Sequence, residues 1–247
     1  MAKDQIEALK KAIYIAIKDA KIYFFKWPNI MFGLILPVVL YLAFAIGRPV
    51  TPSFVLPGLV AMAALFGAGA IEAVALPLER RAGTFERLLA APVSLFTITL
   101  GKVLAGFFFG LILSIAYAII IIPFSDPSIV NPLLFVVGVV FSSLTFSALG
   151  LFISAPFRDI PEAMPPATLI RILMVFVCGV FVPIESMPAS LQAVAYVLPL
   201  TYSVDALRQA MTGAVVAQMF LIDLAVQIFY TIVFLVATVW VLKKTIE

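Results

Sequence analysis

Long apolar runs broken by short charged or proline-bearing links dominate the chain, and they set the predicted elements. A helix needs roughly 18–20 predominantly apolar residues to cross the hydrocarbon core of a bilayer. Runs of that kind predict spans over about Asn29–Ile46, Phe54–Leu76, Thr97–Ile122, Pro132–Ile153, Thr168–Val182 and Leu221–Leu242. The first is short and carries Pro37 at its middle; the second is entered after Pro49 and Pro52. Ahead of them, residues 3–26 place Ile6, Leu9, Ile13, Ala16, Ile17 and Ala20 on one helical face and lysines largely on the rest. Such a helix before a span predicts one lying in the membrane interface, and Tyr23, Phe24, Phe25 and Trp27 predict an aromatic belt beside it. The competing reading is a surface helix resting on a soluble partner.

Between the fifth and sixth runs, Pro183–Phe220 is mixed. Ser190–Val197 and Thr201–Met211 read as half-helices separated by Pro199 and closed by Gly213. Neither is long enough to span. Irregular backbone survives at membrane depth only when buried in protein or facing a watery cavity, so the segment predicts re-entrant or interfacial helices. No polar/apolar alternation of period two suggests a barrel. Internal repeats and low-complexity segments are not evident either.

Composition agrees. An apolar fraction of 64% and a mean hydropathy of +1.19 predict a polytopic all-α membrane protein. The net charge of +3 becomes informative once mapped. Lys3, Lys10, Lys11, Lys18, Lys21 and Lys26 precede the first span. Arg80, Arg81 and Arg87 fall between the second and third, with Lys102 counted at the start of the third; Arg158 falls between the fourth and fifth, with Arg171 counted at the start of the fifth. Lys243 and Lys244 close the chain. Only Arg48 and Arg208 of the 16 basic residues fall on the other side. The positive-inside rule then predicts a multi-pass protein of the cell membrane with both termini and the 79–92 loop in the cytoplasm. No secretory signal peptide is expected, because the first 28 residues are amphipathic rather than a short basic cap. Cys178 is the sole cysteine and histidine is absent, which excludes an intramolecular disulfide, a thiolate metal cluster and the usual proton shuttle.

The densest charged stretch beyond the N-terminal segment is Leu78-Glu79-Arg80-Arg81-Ala82-Gly83-Thr84-Phe85-Glu86-Arg87-Leu88-Leu89-Ala90-Ala91-Pro92. Thr84 is placed to N-cap a two-turn helix, Glu86 falls in its positive first turn, and Pro92 stops it. Phe85, Leu88 and Leu89 share one face by i, i+3, i+4 spacing. A helix this short is marginal alone, so a partner protein is expected to hold it. The bland reading is a solvated charge run between spans. The only Gly-Lys pair, Gly101-Lys102, has Phe96 where a phosphate loop needs glycine and Val103 where it needs Ser or Thr, so no nucleotide site of that kind is predicted. No catalytic residues are expected.

The loop resembles that of type-2 ATP-binding-cassette exporter permeases, a pattern like E-x-x-x-G-T-x-E-x-L-x-x-x-P, met here by Glu79, Gly83, Thr84, Glu86, Leu88 and Pro92. Phe181-Val182-Pro183-Ile184-Glu185-Ser186-Met187-Pro188, Leu198-Pro199-Leu200-Thr201-Tyr202 and Asp205-Ala206-Leu207-Arg208 resemble the same family's signature before the last span. The resemblance covers essentially the whole chain, as one permease domain over residues 1–247. It implies permease homodimers or heterodimers docked on two cytoplasmic nucleotide-binding ATPase subunits, with ATP and Mg on those partners and no cofactor in this chain. It also implies surrounding membrane lipids and no nucleic acid. It makes residues 84–91 a coupling helix within an ATPase contact formed by Glu79, Arg80, Arg81, Gly83, Thr84, Phe85, Glu86, Arg87, Leu88, Leu89 and Pro92. The N-terminal helix would rest against the same partner. An outer gate would hold Pro183, Glu185, Pro188, Pro199, Tyr202, Asp205 and Arg208. The implied function is the membrane subunit of an ATP-driven exporter of a lipid, drug or polysaccharide-like substrate.

The alternative is an ion-coupled secondary transporter or channel using Glu72 and Asp223, each of which also reads as an acid snorkelling or paired near a span end. Asp205 and Arg208, one turn apart, could pair. Gly106-x-x-x-Gly110 predicts close packing within the subunit or at a dimer seam, and Ser143, Ser147, Gly150 and Ser154 form a small stripe that suits helix contact.

Overall fold

The computed structural model describes residues 2–45, 52–121, 129–213 and 215–246, and these form helices with no strand among them. The predicted Ile46, Arg48, Pro49 and Ile122 lie outside the described residues. Helix α1 spans Ala2–Tyr23. The first predicted span is broken into α2 (Trp27–Ile30), a π-helical segment (Met31–Ile35) and α3 (Leu36–Ala45). The wide segment ends just before Pro37, which has no N–H to give the preceding turn.

Among the described residues, five helices are long and apolar enough to cross a membrane: α4 (Pro52–Arg81), α6 (Leu95–Ile121), α7 (Pro132–Ser154), α8 (Ile160–Val177) and α11 (Ala217–Ile246). Short helices lie at the links: α5 (Thr84–Leu89), a 3-10 turn (Ile184–Ser186), α9 (Ala189–Val197) and α10 (Pro199–Thr212). The fifth predicted span begins eight residues early, at Ile160, and stops at Val177. Pro161 sits in its first turn, where a missing N–H costs nothing. Pro165 and Pro166 lie deeper and are carried within the helix, as membrane helices allow when neighbours satisfy the freed carbonyls.

Helix α4 is the axis of the bundle, packed on by α6, α7, α8 and α10. Its run from Gly58 to Ala75 is rich in Ala and Gly, so neighbouring backbones come close. Gly106 and Gly110 face it: a Cβ on Gly106 would lie 2.3 Å from Ser147 Oγ and 2.6 Å from the Ala68 carbonyl oxygen, and one on Gly110 would lie 2.6 Å from Ala68 Cβ. The small motif therefore packs within one subunit. The α7 stripe does the same, with Ser147 Oγ donating to Val103 O at 2.7 Å and Gly150 pressed on Gly69. By contrast α8 and α11 show bare apolar flanks, including Leu169, Leu173, Phe229, Val236 and Trp240.

Candidate functional site

Helix α4 ends where the loop begins. Gly83 takes φ +67°, the left-handed conformation that turns a chain out of a helix and that glycine adopts without strain. Helix α5 starts at the next residue, so Thr84 is not its N-cap: its hydroxyl donates back to the Glu79 carbonyl at 3.2 Å. The expectation that a partner must hold this helix is also corrected. Phe85 is 2% exposed, in a cluster with Ile15, Leu76, Ile98, Leu151 and Leu242, with Leu88 and Leu89 packed at its edge. The chain's own bundle holds α5. Glu86 and Arg87 point outward.

Charged side chains tie the loop to its surroundings. Arg80 donates to the carbonyls of Ala155 (2.7 Å) and Phe157 (3.0 Å) in the α7–α8 link, and its guanidinium lies 5.5 Å from the Phe85 ring centroid. Arg81 lies 3.6 Å from Asp159 in an exposed pair. Lys11 of α1 donates to the Pro92 carbonyl at 3.0 Å. A cleft of about 300 Å³ between α5 and the C-terminal end of α11 is lined by Arg80, Phe85, Glu86, Leu89, Arg158 and Thr245.

Beneath the loop is a buried ionic knot. Lys102 of α6 is fully buried and reaches Glu79 at 2.6 Å and Asp19 of α1 at 3.3 Å. Lys18 completes it, 2.9 Å from Asp19 and in contact with Glu79. Burial pushes the Asp19 carboxyl above the ordinary carboxylate range, against the pull of Lys102. Burial likewise raises the neighbouring Tyr23 phenol. Lys102 is thus not a loop charge, and Arg171 is not one either: it is buried within α8 and donates to Gly69 O at 2.9 Å. Neither counts toward a cytoplasmic positive surface. The knot went unread in the sequence. Its one visible signal was a lysine eight positions into an otherwise apolar 27-residue helix.

The knot also divides α1 into sectors. Ala12, Ile15, Ala16 and Asp19 are buried, on the side that packs against α6, whereas Ile6, Leu9, Ile13 and Ile17 remain outside. The aromatic group splits too: Tyr23 is buried and Phe24 lies 4.9 Å from the Phe109 ring, while Phe25 and Trp27 are exposed. Glu72 lies two turns before Glu79 on α4. It is fully buried, and neither carboxylate oxygen has a hydrogen-bond partner.

At the far end of the bundle, Pro183 and Pro188 precede the 3-10 turn and α9, Glu185 is exposed, and Pro199 opens α10 instead of merely separating two helices. Helix α10 is inserted among α4, α7 and α11, with Leu200, Val204, Leu207 and Met211 buried at helical spacing. Gly213 closes it at φ +74°. Tyr202 donates to Tyr196 O at 2.7 Å. Asp205 and Arg208 form no ion pair. Arg208 donates to Gly179 O at 2.9 Å and stacks 4.3 Å from the Phe54 ring centroid, and burial lowers its pKa. Asp205 instead accepts from Gln209, whose amide nitrogen also donates to Asp223 at 3.0 Å. Asp223 belongs to this end, whereas Glu72 lies two turns from Glu79 on α4, so the two acids of the alternative transporter reading do not meet.

Sequence models of known families place these features in context. The model described as ABC-2 type transporter matches residues 5–212. The chain is 27% identical to the probable multidrug ABC transporter permease YbhR of Escherichia coli (strain K12) over 161 residues, covering 63% of this chain and 43% of that protein. Nodulation protein J of Rhizobium leguminosarum bv. viciae is 30% identical over 97 residues, 39% of this chain and 38% of that one. The chain thus spans about two fifths of the length of the curated relatives it matches.

Proposed function

Because the chain belongs to the ABC-2 type transporter family, we propose that it is the membrane-spanning subunit of an exporter driven by a separate ATPase, which docks on the 79–92 loop. The observation that carries the proposal is the seating of α5. One face is anchored through Phe85, and Glu86 and Arg87 are left free on the other. The loop is also cross-tied to α1, α6 and the α7–α8 link. A load applied to Glu86 and Arg87 therefore falls on three parts of the bundle together. On this reading the loop and both termini are cytoplasmic, ATP and Mg reside on the partner, and two permease chains pair within the lipid. The exposed Ile6, Leu9, Ile13 and Ile17 of α1, with lysines beside them, suit the membrane interface. The segment 183–220 forms the outer wall of the path, and the cargo is a lipid, drug or polysaccharide-like molecule.

Phe85 supports α5 from inside, so the docking test belongs on the exposed pair. Glu86→Lys combined with Arg87→Glu is expected to cut recovery of a tagged ATPase encoded beside this chain at least tenfold, with unchanged membrane insertion and a single gel-filtration peak. Undiminished recovery would overturn the assignment.

A further inference from the structure

A second cavity lies at the opposite end of the bundle from α5. It measures about 490 Å³ and opens between the 3-10 turn, α9, α10 and the first turns of α11. The distance between the ends follows from α11 itself. Leu242 packs in the Phe85 cluster, and Asp223, on the cavity wall, precedes it by nineteen residues, about 28 Å along a helix.

The charge of the wall is unbalanced. Asp205, Asp223 and Glu185 face the cavity against the single cation Arg208. Arg208 makes no ion pair with any of them, being held by the Gly179 carbonyl and the Phe54 ring. Asp205 and Asp223 are brought onto one neutral donor, the Gln209 amide nitrogen, at 3.3 and 3.0 Å. Asp223 is only 5% exposed. Two carboxylates so close, one of them withdrawn from water, repel each other unless they share a proton or a positive group joins them.

The rest of the wall selects the kind of positive group. Tyr196 and Tyr202 line the cavity, and aromatic rings attract cations at their faces. Ile184, Val204, Met219 and Ile222 supply an apolar lining, with the methionine able to adapt its shape. No group of three His, Cys, Asp or Glu side chains among the described residues could hold a metal ion, so a hard divalent ion lacks its oxygen cage. The volume lies within the usual range for small organic ligands, about 300–1,000 Å³.

The geometry points to a binding site for a monovalent organic cation with a hydrophobic body. Its charge sits between Asp205 and Asp223, and its rings or chains lie against Tyr196, Tyr202 and the apolar lining. Its place on an export path rests on the function proposed above; the binding itself does not.

The test uses the full chain purified in dodecyl maltoside with ethidium, a permanent organic cation, followed by fluorescence anisotropy. Saturable binding is expected, displaced by tetraphenylphosphonium and not by the anion 8-anilinonaphthalene-1-sulfonate. Asp205→Asn and Asp223→Asn should each weaken it at least tenfold. Glu162→Gln, on an exposed acid at the start of α8, should leave it unchanged. Asp205 is only half-buried, so its variant remains informative if Asp223→Asn fails to fold. Absence of saturable binding, or affinity within threefold of the parent in Asp205→Asn, would overturn the site. No ATPase is in the assay, so a negative titration leaves the docking proposal standing, and failed ATPase recovery leaves the cavity standing.

Discussion

Replacing Lys102 with methionine removes the one fully buried ammonium from a knot that also holds Asp19 and Glu79. Lys18 remains, but its side chain is 41% exposed and it cannot neutralise two carboxylates. Removing one partner of a buried ion pair costs about 3–5 kcal/mol, because the surviving charge keeps its desolvation penalty and loses its compensation. That corresponds to a rise of roughly two to four powers of ten in the unfolded population. The origin of the loss can be separated from lost packing volume. Methionine keeps most of the lysine stem, and adding Asp19→Asn and Glu79→Gln removes the orphaned charges. The triple variant is expected to regain part of what Lys102→Met loses, since it removes the uncompensated buried charges. Unfolding of the purified chain in dodecyl maltoside titrated with dodecyl sulfate measures both quantities. If Lys102→Met lies within 1 kcal/mol of the parent, or if the triple variant is no more stable than the single one, the account of the knot is wrong.

Four further outcomes follow from the packing and can be read in the same unfolding assay. Phe85→Ala is expected to destabilise by roughly 3–5 kcal/mol, the usual cost of emptying a buried aromatic site; a loss below 1 kcal/mol would mean α5 is not seated as described. Gly150→Ala puts a Cβ 2.5 Å from Gly69 O and 2.6 Å from Gly69 Cα. Although alanine favours a helix by about 1 kcal/mol, overpacking on backbone should reverse the sign and cost about 1–3 kcal/mol. Gly83→Ala forces a side chain into φ +67° and should lose about 1–2 kcal/mol, whereas Gly83→Asn should lose less. Phe54→Leu removes the ring under Arg208 and should cost about 0.5–2 kcal/mol, an effect that vanishes when Arg208 is already methionine.

The long helices were legible because a continuous apolar run has few other fates, and four of the five fall within a few residues of their predicted bounds at one end or both. What local pattern reasoning lost had local causes. Pro161, Pro165 and Pro166 interrupt the apolar run, and the fifth helix begins eight residues before its predicted start. Thr84 looked like a cap because its type and place suited one, while the left-handed Gly83 already made the turn. The site's central feature could not be read at all. Asp19 and Glu79 meet Lys102 from elements widely separated in the chain, and no periodicity reports such a meeting. Lys102 therefore passed for a loop charge, and Arg171 for another. The side of α1 that packs on the bundle was not read either: it is marked by Ala12, Ile15, Ala16 and Asp19, while Ile6, Leu9, Ile13 and Ile17 remain outside.

Those long-range contacts bear on how a soluble motor could act at a distance. Helix α4 is continuous from Pro52 to Arg81, about 45 Å at helical rise. Its prolines within the helix are at 57 and 77, so the stretch between them is free of the commonest cause of a kink. At one end it carries Glu79 in the knot and Arg80 on the α7–α8 link. At the other, Phe54 lies under Arg208, a residue of the cavity wall. A displacement of α5 that shifts Glu79 must either break buried ion pairs or move α1, α6 and α4 together, and moving them is the cheaper course by the magnitudes above. Because α4 is enclosed by packed neighbours along its length, the stretch between Pro57 and Pro77 is expected to move as one piece with them. The costly buried charges thus do more than persist in the fold, since they keep the loop from yielding alone.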